Sequence, residues 1–136
     1  MARHHIQWAA QFEVAAELCK RGCDVAFTMG NATPLADLMV LSPAGRTFLV
    51  DVKGQSSRNF WRIKAKADHP QLYYVLTLVG GPNQPSSFYP MSQASLHRLM
   101  AAYKARPTIK FDERFSGFNW GDATPFLNQW SELPLE

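Results

Sequence analysis

The chain predicts an α/β domain, with a central mixed β-sheet flanked by helices. Two segments, one near the start and one past the middle, carry apolar residues at three- and four-residue spacing, the period of a helix with one buried face. Between them lie short runs rich in β-branched and aromatic residues, separated by clusters of turn formers. One of these runs, Leu72 to Val79, is nearly continuously apolar, as in a strand covered on both faces. With 136 residues, 46% of them hydrophobic, the chain is long enough for a core and too apolar for disorder. Nothing divides it, so residues 1–136 are expected to form a single domain.

The first helix is expected from Ile6 to Arg21, with Trp8, Phe12, Ala15, Ala16 and Cys19 as its stripe. Lys20 and Arg21 suit its end, and Gly22 is a natural stop. Glu13 lies beside the stripe. A first strand follows from Cys23 to Met29, then a loop through Gly30-Asn31-Ala32-Thr33-Pro34. Ala36 to Leu41 and Thr47 to Lys53 form a hairpin around Ser42-Pro43-Ala44-Gly45. A polar loop, Gly54 to Asn59, leads to a weakly alternating short strand, Phe60 to Lys64. After a connection from Ala65 to Pro70 come the strong strand at Leu72, a break at Gly80-Gly81-Pro82, and a strand at Phe88 to Met91. Ser92 caps a second helix to Ala105, striped by Leu96, Leu99, Met100 and Tyr103. The aromatic tail predicts one more short helix between Asp122 and Trp130.

Charge and composition narrow the function classes. No apolar run reaches the roughly 18 residues of a membrane helix, and the start lacks the apolar stretch of a signal peptide. The expectation is a cytoplasmic protein with no membrane partner. Cys19 and Cys23 have neither the spacing nor the second pair of a zinc site, so both read as core or near-core thiols. The net charge of +3 is unevenly spread: six basic residues against one acid from Arg46 to Lys66, and one base against five acids from Phe111 on. This asymmetry points to an anionic partner near the third strand.

That strand carries the chemistry. Phe48-Leu49-Val50-Asp51-Val52-Lys53 is apolar until it ends in an acid and a base two residues apart, hence on one face. Charges so placed in an apolar strand are unfavourable without a use for them. Whether Asp37 joins them depends on the hairpin register. If Leu41 faces Arg46, paired numbers sum to 87, and the two aspartates lie on opposite faces. A sum of 88 sets Asp37 directly across from Asp51, and 86 makes them diagonal neighbours. A functional site requires an even sum. The expectation is 88, with a five-residue loop or a bulge. Two carboxylates on one face call for a cation between them, and oxygen ligands suit Mg²⁺ or Mn²⁺. Asp37, Asp51 and the Val52 carbonyl are the candidate ligands, and Lys53 is placed to hold water or to neutralise charge on a phosphate.

These residues resemble the PD-(D/E)XK nuclease superfamily, the restriction-endonuclease-like fold, over about Gln7 to Tyr103. There, an acid opens the second strand (Asp37 here) and an acid-x-lysine run lies on the third (Asp51 and Lys53). Many members add a glutamate on the first helix, where Glu13 sits, as a further metal ligand. Gln55 resembles a polar residue two positions beyond the lysine in several subfamilies. Ala36 stands where a proline is common, and Phe60 to Lys64 reads as a strand rather than a helix.

The resemblance implies a metal-dependent DNA endonuclease hydrolysing phosphodiester bonds. The catalytic set is then Glu13, Asp37, Asp51, Lys53 and Gln55. Arg58, Arg62 and Lys64, interleaved with Phe60 and Trp61, read as contacts to DNA phosphates. So small a domain has little room for a sequence reader, which favours recognition of structure, in the manner of a junction resolvase, or action as a homodimer. The alternative is a catalytically inactive nuclease-fold module that binds nucleic acid or a protein partner, with the tail around Trp120 and Trp130 as contact surface.

Overall fold

A computed structural model describes residues 1–28 and 35–136. Met29 and the expected loop Gly30-Asn31-Ala32-Thr33-Pro34 lie outside the described residues. The elements in chain order are α1 (Arg3–Lys20), β1 (Asp24–Phe27), β2 (Leu38–Leu41), β3 (Thr47–Gln55), β4 (Trp61–Arg62), β5 (Leu72–Leu78), β6 (Ser87–Ser92), α2 (Gln93–Lys104) and β7 (Gly117–Phe118). Among the described residues, five strands make one mixed sheet in the order β1-β2-β3-β5-β6, with β3 and β5 parallel and the other neighbours antiparallel. The short strand expected at Phe60 is reduced to Trp61 and Arg62. It pairs outside that sheet, with β7 from the tail.

One face of the sheet packs on α1. Ala10, Val14, Ala15 and Leu18 meet Leu38, Val40, Phe48, Val50, Val52 and Val75. On the other face Leu72, Tyr74, Leu76 and Met91 pack with Leu96 of α2, Trp61, Ile63 and Phe118. No helix of the described residues is long and apolar enough to cross a membrane. The helix stripe expected for α1 is rotated. Trp8, Phe12 and Cys19 are exposed and Cys23 is buried. The size of the aromatics misled the period. Small Ala10, four residues before Val14 and eight before Leu18, is what lets α1 approach the sheet closely. Second-helix expectations fare better: Ser92 is the N-cap, accepting from the Ser95 backbone N–H.

The β2–β3 register follows from its turn. Leu41 pairs with Thr47 and Leu38 with Val50, so paired numbers sum to 88 and the loop has five residues. Ser42 builds it. Its N–H donates to Arg46 O at 2.7 Å, and its Oγ accepts from Arg46 N at 3.0 Å. Gly45 supplies the left-handed residue, at φ +89°, which a side chain would strain. In the tail, short 3₁₀ turns replace the expected helix, and Trp130 and Leu133 are core residues beside α1.

Gly54 is where α1 presses on β3: a Cβ there would lie 2.7 Å from Ala10 Cβ. Gly54→Ala is expected to destabilise the protein by about 1–3 kcal/mol through overpacking, measured by urea unfolding. Ala10→Gly should offset part of that loss, so the double variant falls short of the sum. Additive losses would mean that the two residues do not press on each other.

Candidate active site

Strand β2 begins at Leu38, whereas β3 runs on to Gln55, so among the described residues β3 has no strand neighbour on that edge beyond Val50. The backbone groups of Val52 and the N–H of Gly54 face this opening and need partners. Side chains provide them. Asp37 Oδ2 accepts from Val52 N at 2.7 Å. The Gln7 amide spans the next two groups, donating from Nε2 to Val52 O at 2.7 Å and accepting at Oε1 from Gly54 N at 3.2 Å. A carboxylate and a primary amide thus stand in for the missing strand.

Asp37 is pinned by its own backbone. Its N–H donates to Val50 O at 2.9 Å, and its carbonyl accepts from Thr28 N at 3.0 Å. Continuing the register by one residue sets Asp37 across from Asp51, as expected. Burial raises the Asp37 carboxyl above its ordinary range as the largest effect. The Val52 N–H opposes this, the Asp51 charge adds to it, and Lys53 and Lys66 oppose it.

Asp51 is buried on the α2 side of the sheet, with its side chain between two lysines. Lys53 Nζ lies 3.1 Å from Oδ1 and Lys66 Nζ lies 2.6 Å from Oδ2. The first pair is close enough for attraction but off hydrogen-bond geometry, which leaves Oδ1 buried without a hydrogen bond among the described residues. Beside Asp51 in the parallel register is Tyr74. Its phenol is pushed up to about 12, by burial first and by the Asp51 charge second.

Lys66 is the residue that the sequence did not single out. It donates to Leu35 O at 2.8 Å as well as to Asp51, joining the third strand to the segment that leads into Asp37. Its own segment is strapped to α2 by Gln93, whose Oε1 accepts from His69 N at 2.8 Å and whose Nε2 donates to Ala67 O at 3.1 Å.

The structure does not bring Glu13 to this cluster. Gln11, two residues earlier, is the one whose Nε2 reaches Asp37 Oδ1, at 3.5 Å. Glu13 lies roughly 160° round the helix from Gln11 and 120° from Gln7. Its Oε2 is buried without a hydrogen bond among the described residues. Glu17, the neighbouring acid one turn on, is paired with Lys20 and Arg21. Gln55 donates to Asn59 O at 2.8 Å, which ties down the loop after β3 rather than reaching the aspartates. Arg58 lies over the Trp120 ring at 4.9 Å and Arg62 over Phe115 at 5.0 Å. Trp61 is buried and Phe60 packs on Tyr103. Trp130 is also buried, with Arg21 over its ring at 4.2 Å, so it offers no contact surface.

The donor set suits a hard divalent cation. Among the described residues Asp51 Oδ1 lacks a hydrogen bond, Asp37 Oδ1 has the long Gln11 contact, and the Val52 carbonyl keeps a second lone pair beside its Gln7 bond. Two carboxylates and a carbonyl are a Mg²⁺-type set, completed by water and phosphate oxygens. Among the described residues no group of three or more His, Cys, Asp or Glu side chains is placed to hold a metal ion. No protein-family model matches the chain, and neither does any curated protein or solved structure compared with it.

Because burial disfavours the charged form of Asp37, its stabilising contribution is greatest when protonated. It is lost as pH rises through the raised folded value. Asp37→Asn, in chelator, should therefore gain thermal stability relative to the native chain as pH rises above about 4, the ordinary carboxyl value. A gap that stays constant with pH would contradict this. Lys66→Met should lose about 2 kcal/mol in denaturant unfolding, because Asp51 stays buried with one cation fewer. Adding Asp51→Asn should restore part of that loss. Independent, additive effects would show that the pair is not coupled.

Proposed function

We propose that the chain is a restriction-endonuclease-like hydrolase of the PD-(D/E)XK type, cutting phosphodiester bonds in DNA with Mg²⁺ or Mn²⁺. The observation that carries this reading is the register sum of 88, which sets Asp37 against Asp51 at the strand fork with Lys53 beside them. Asp37, Asp51 and the Val52 carbonyl would hold the ion. When bound there, it would supply Lewis-acid charge at the phosphate and acidify a water. The protein's own part is positional. Lys53, a third exposed at 34%, holds its ammonium where charge builds on the phosphate oxygens as water attacks phosphorus and the leaving oxygen departs. Lys66 holds Asp51 in place through its 2.6 Å contact with Oδ2. Gln7 and the Val52 N–H orient the carbonyl and Asp37. Arg58, Arg62 and Lys64 lie along the chain leaving β3 and would contact neighbouring phosphates, which makes binding salt-dependent.

One observation favours a second reading, a nuclease-fold module that binds nucleic acid without cutting it. Lys53 and Lys66 together already balance Asp51, and Asp37 is hydrogen-bonded, so the cluster is stable in charge without an ion.

Nicking of supercoiled plasmid with Mg²⁺ or Mn²⁺ separates the two. Hydrolysis predicts cleavage by the native chain and a loss on the order of 100-fold or more in Lys53→Ala and Asp51→Asn. Intact plasmid with the native chain and with Lys53→Ala, with both still shifting DNA in a gel, would establish the binding module instead.

A further inference from the structure

We infer that the groove beside Lys53, lined by Arg62, Lys64, Phe111 and one acid, Glu113, with Phe115 outside its lining but under Arg62 at its edge, binds a single strand of DNA by stacking its bases. This deepens the reading above by naming a substrate class, and it rests on that reading for the strand being cut rather than only held. The groove encloses about 700 Å³ and runs from Lys53 past Lys64 to the 3₁₀ turn at Glu113–Phe115.

Two phenylalanines stand out at its edge. Phe115 is 56% exposed and Phe111 38%, whereas of the other tail aromatics Phe118 and Trp130 are buried and Trp120 and Phe126 half-buried. The backbone that carries Phe115 is held firmly. The residue after Phe115 is fastened to the Trp61 segment on both sides: Ser116 Oγ donates to Ile63 O at 2.7 Å, and Ile63 N donates to Ser116 O at 2.9 Å. The next residue is Gly117, at φ +138°, where a Cβ would meet Trp61 O. The backbone therefore approaches too closely for any other residue, and Phe115 is presented from a fixed base.

Each ring has a cation on it. Arg62 lies over Phe115 at 5.0 Å, and Lys104 Nζ lies over Phe111 at 4.3 Å. The charge is not spent elsewhere: among the described residues neither Arg62 nor Lys64 has a carboxylate partner, whereas Arg114 is held by Asp112. Rings flanked by unneutralised cations match an unstacked base followed by its phosphate. A double helix offers phosphates but no free base face, so cations alone would serve it and the exposed rings would be an unrewarded exposure of apolar surface. Lys53 is common to this groove and to the aspartate pair, so a strand held here passes the site where hydrolysis is proposed.

Fluorescence anisotropy in chelator tests this without any cleavage. The probes are a labelled strand of roughly 15 thymidines, an abasic strand of equal length and a duplex. The native chain should bind the thymidine strand about 10-fold tighter than either of the others, the scale of one lost base stack. Phe115→Ala should reduce thymidine-strand binding to the abasic level with duplex binding unchanged. Phe115→Tyr, which keeps the ring, should restore it, and Lys64→Gln should weaken all three. Equal binding of all probes, preference for duplex, no binding at all, or indifference to Phe115→Ala would each overturn the inference. Since no ion is present, a failure of plasmid nicking leaves this result standing, and a failure here leaves the nicking result to be read on its own.

Discussion

The site depends on one constraint: a strand that outlives its neighbour. Strand β2 stops at Leu38 while β3 continues to Gln55, and the exposed edge leaves backbone groups at Val52 and Gly54 that must find hydrogen bonds in a partly buried place. Asp37 and Gln7 fill those positions. In doing so they fix a carboxylate beside Asp51 and close with side chains a gap in the sheet beside which α1 lies. The same gap requires α1 to come close, which is why Ala10 meets Gly54 with no room for a further methyl group. Fold and site are therefore one arrangement, since the hydrogen bonds that complete the sheet edge also aim the acid.

Electrostatics then sets two effects against each other. Burial opposes the charge on Asp37, and Asp51 across the fork adds to that opposition. Lys53 and Lys66 work the other way, and both sit on Asp51. The cluster is thus a pair of acids whose close positive charge lies on the Asp51 side. Such asymmetry is unfavourable for stability alone, because an apolar pair of similar shape would serve the fold as well or better. The divalent ion proposed here would add positive charge on the Asp37 side, using Asp37 Oδ1 and Asp51 Oδ1.

Much of this was legible in the residues. The alternation at Phe48 to Lys53 and the turn chemistry at Ser42 and Gly45 together contain the register, and the register contains the aspartate pair. Ser92 as a cap and Leu72 to Val79 as a central strand follow from local chemistry in the same way. Other parts were hidden for physical reasons. The phase of α1 was set by small residues, Ala10 above all, while the large aromatics Trp8 and Phe12 drew attention to the wrong side and carried Glu13 with them. Gln7 and Gln11, four apart on the face that meets the sheet, were the readable trace of the true phase. Lys66 acts from an irregular segment fifteen residues beyond Asp51, where no periodicity speaks for it. Phe111 and Phe115 lie in the tail, and only β7 folding back on Trp61 brings them beside Arg62.

The central claim is that the two acids at the fork share one divalent ion, and crystals soaked in Mn²⁺ test it most directly. Anomalous scattering should show a single strong peak within coordination distance of Asp37 and Asp51, about 2.0–2.2 Å from an oxygen of each, and the peak should vanish in Asp37→Asn. A map without a peak at the fork under saturating Mn²⁺, or with manganese bound only at other surface carboxylates, would contradict the account.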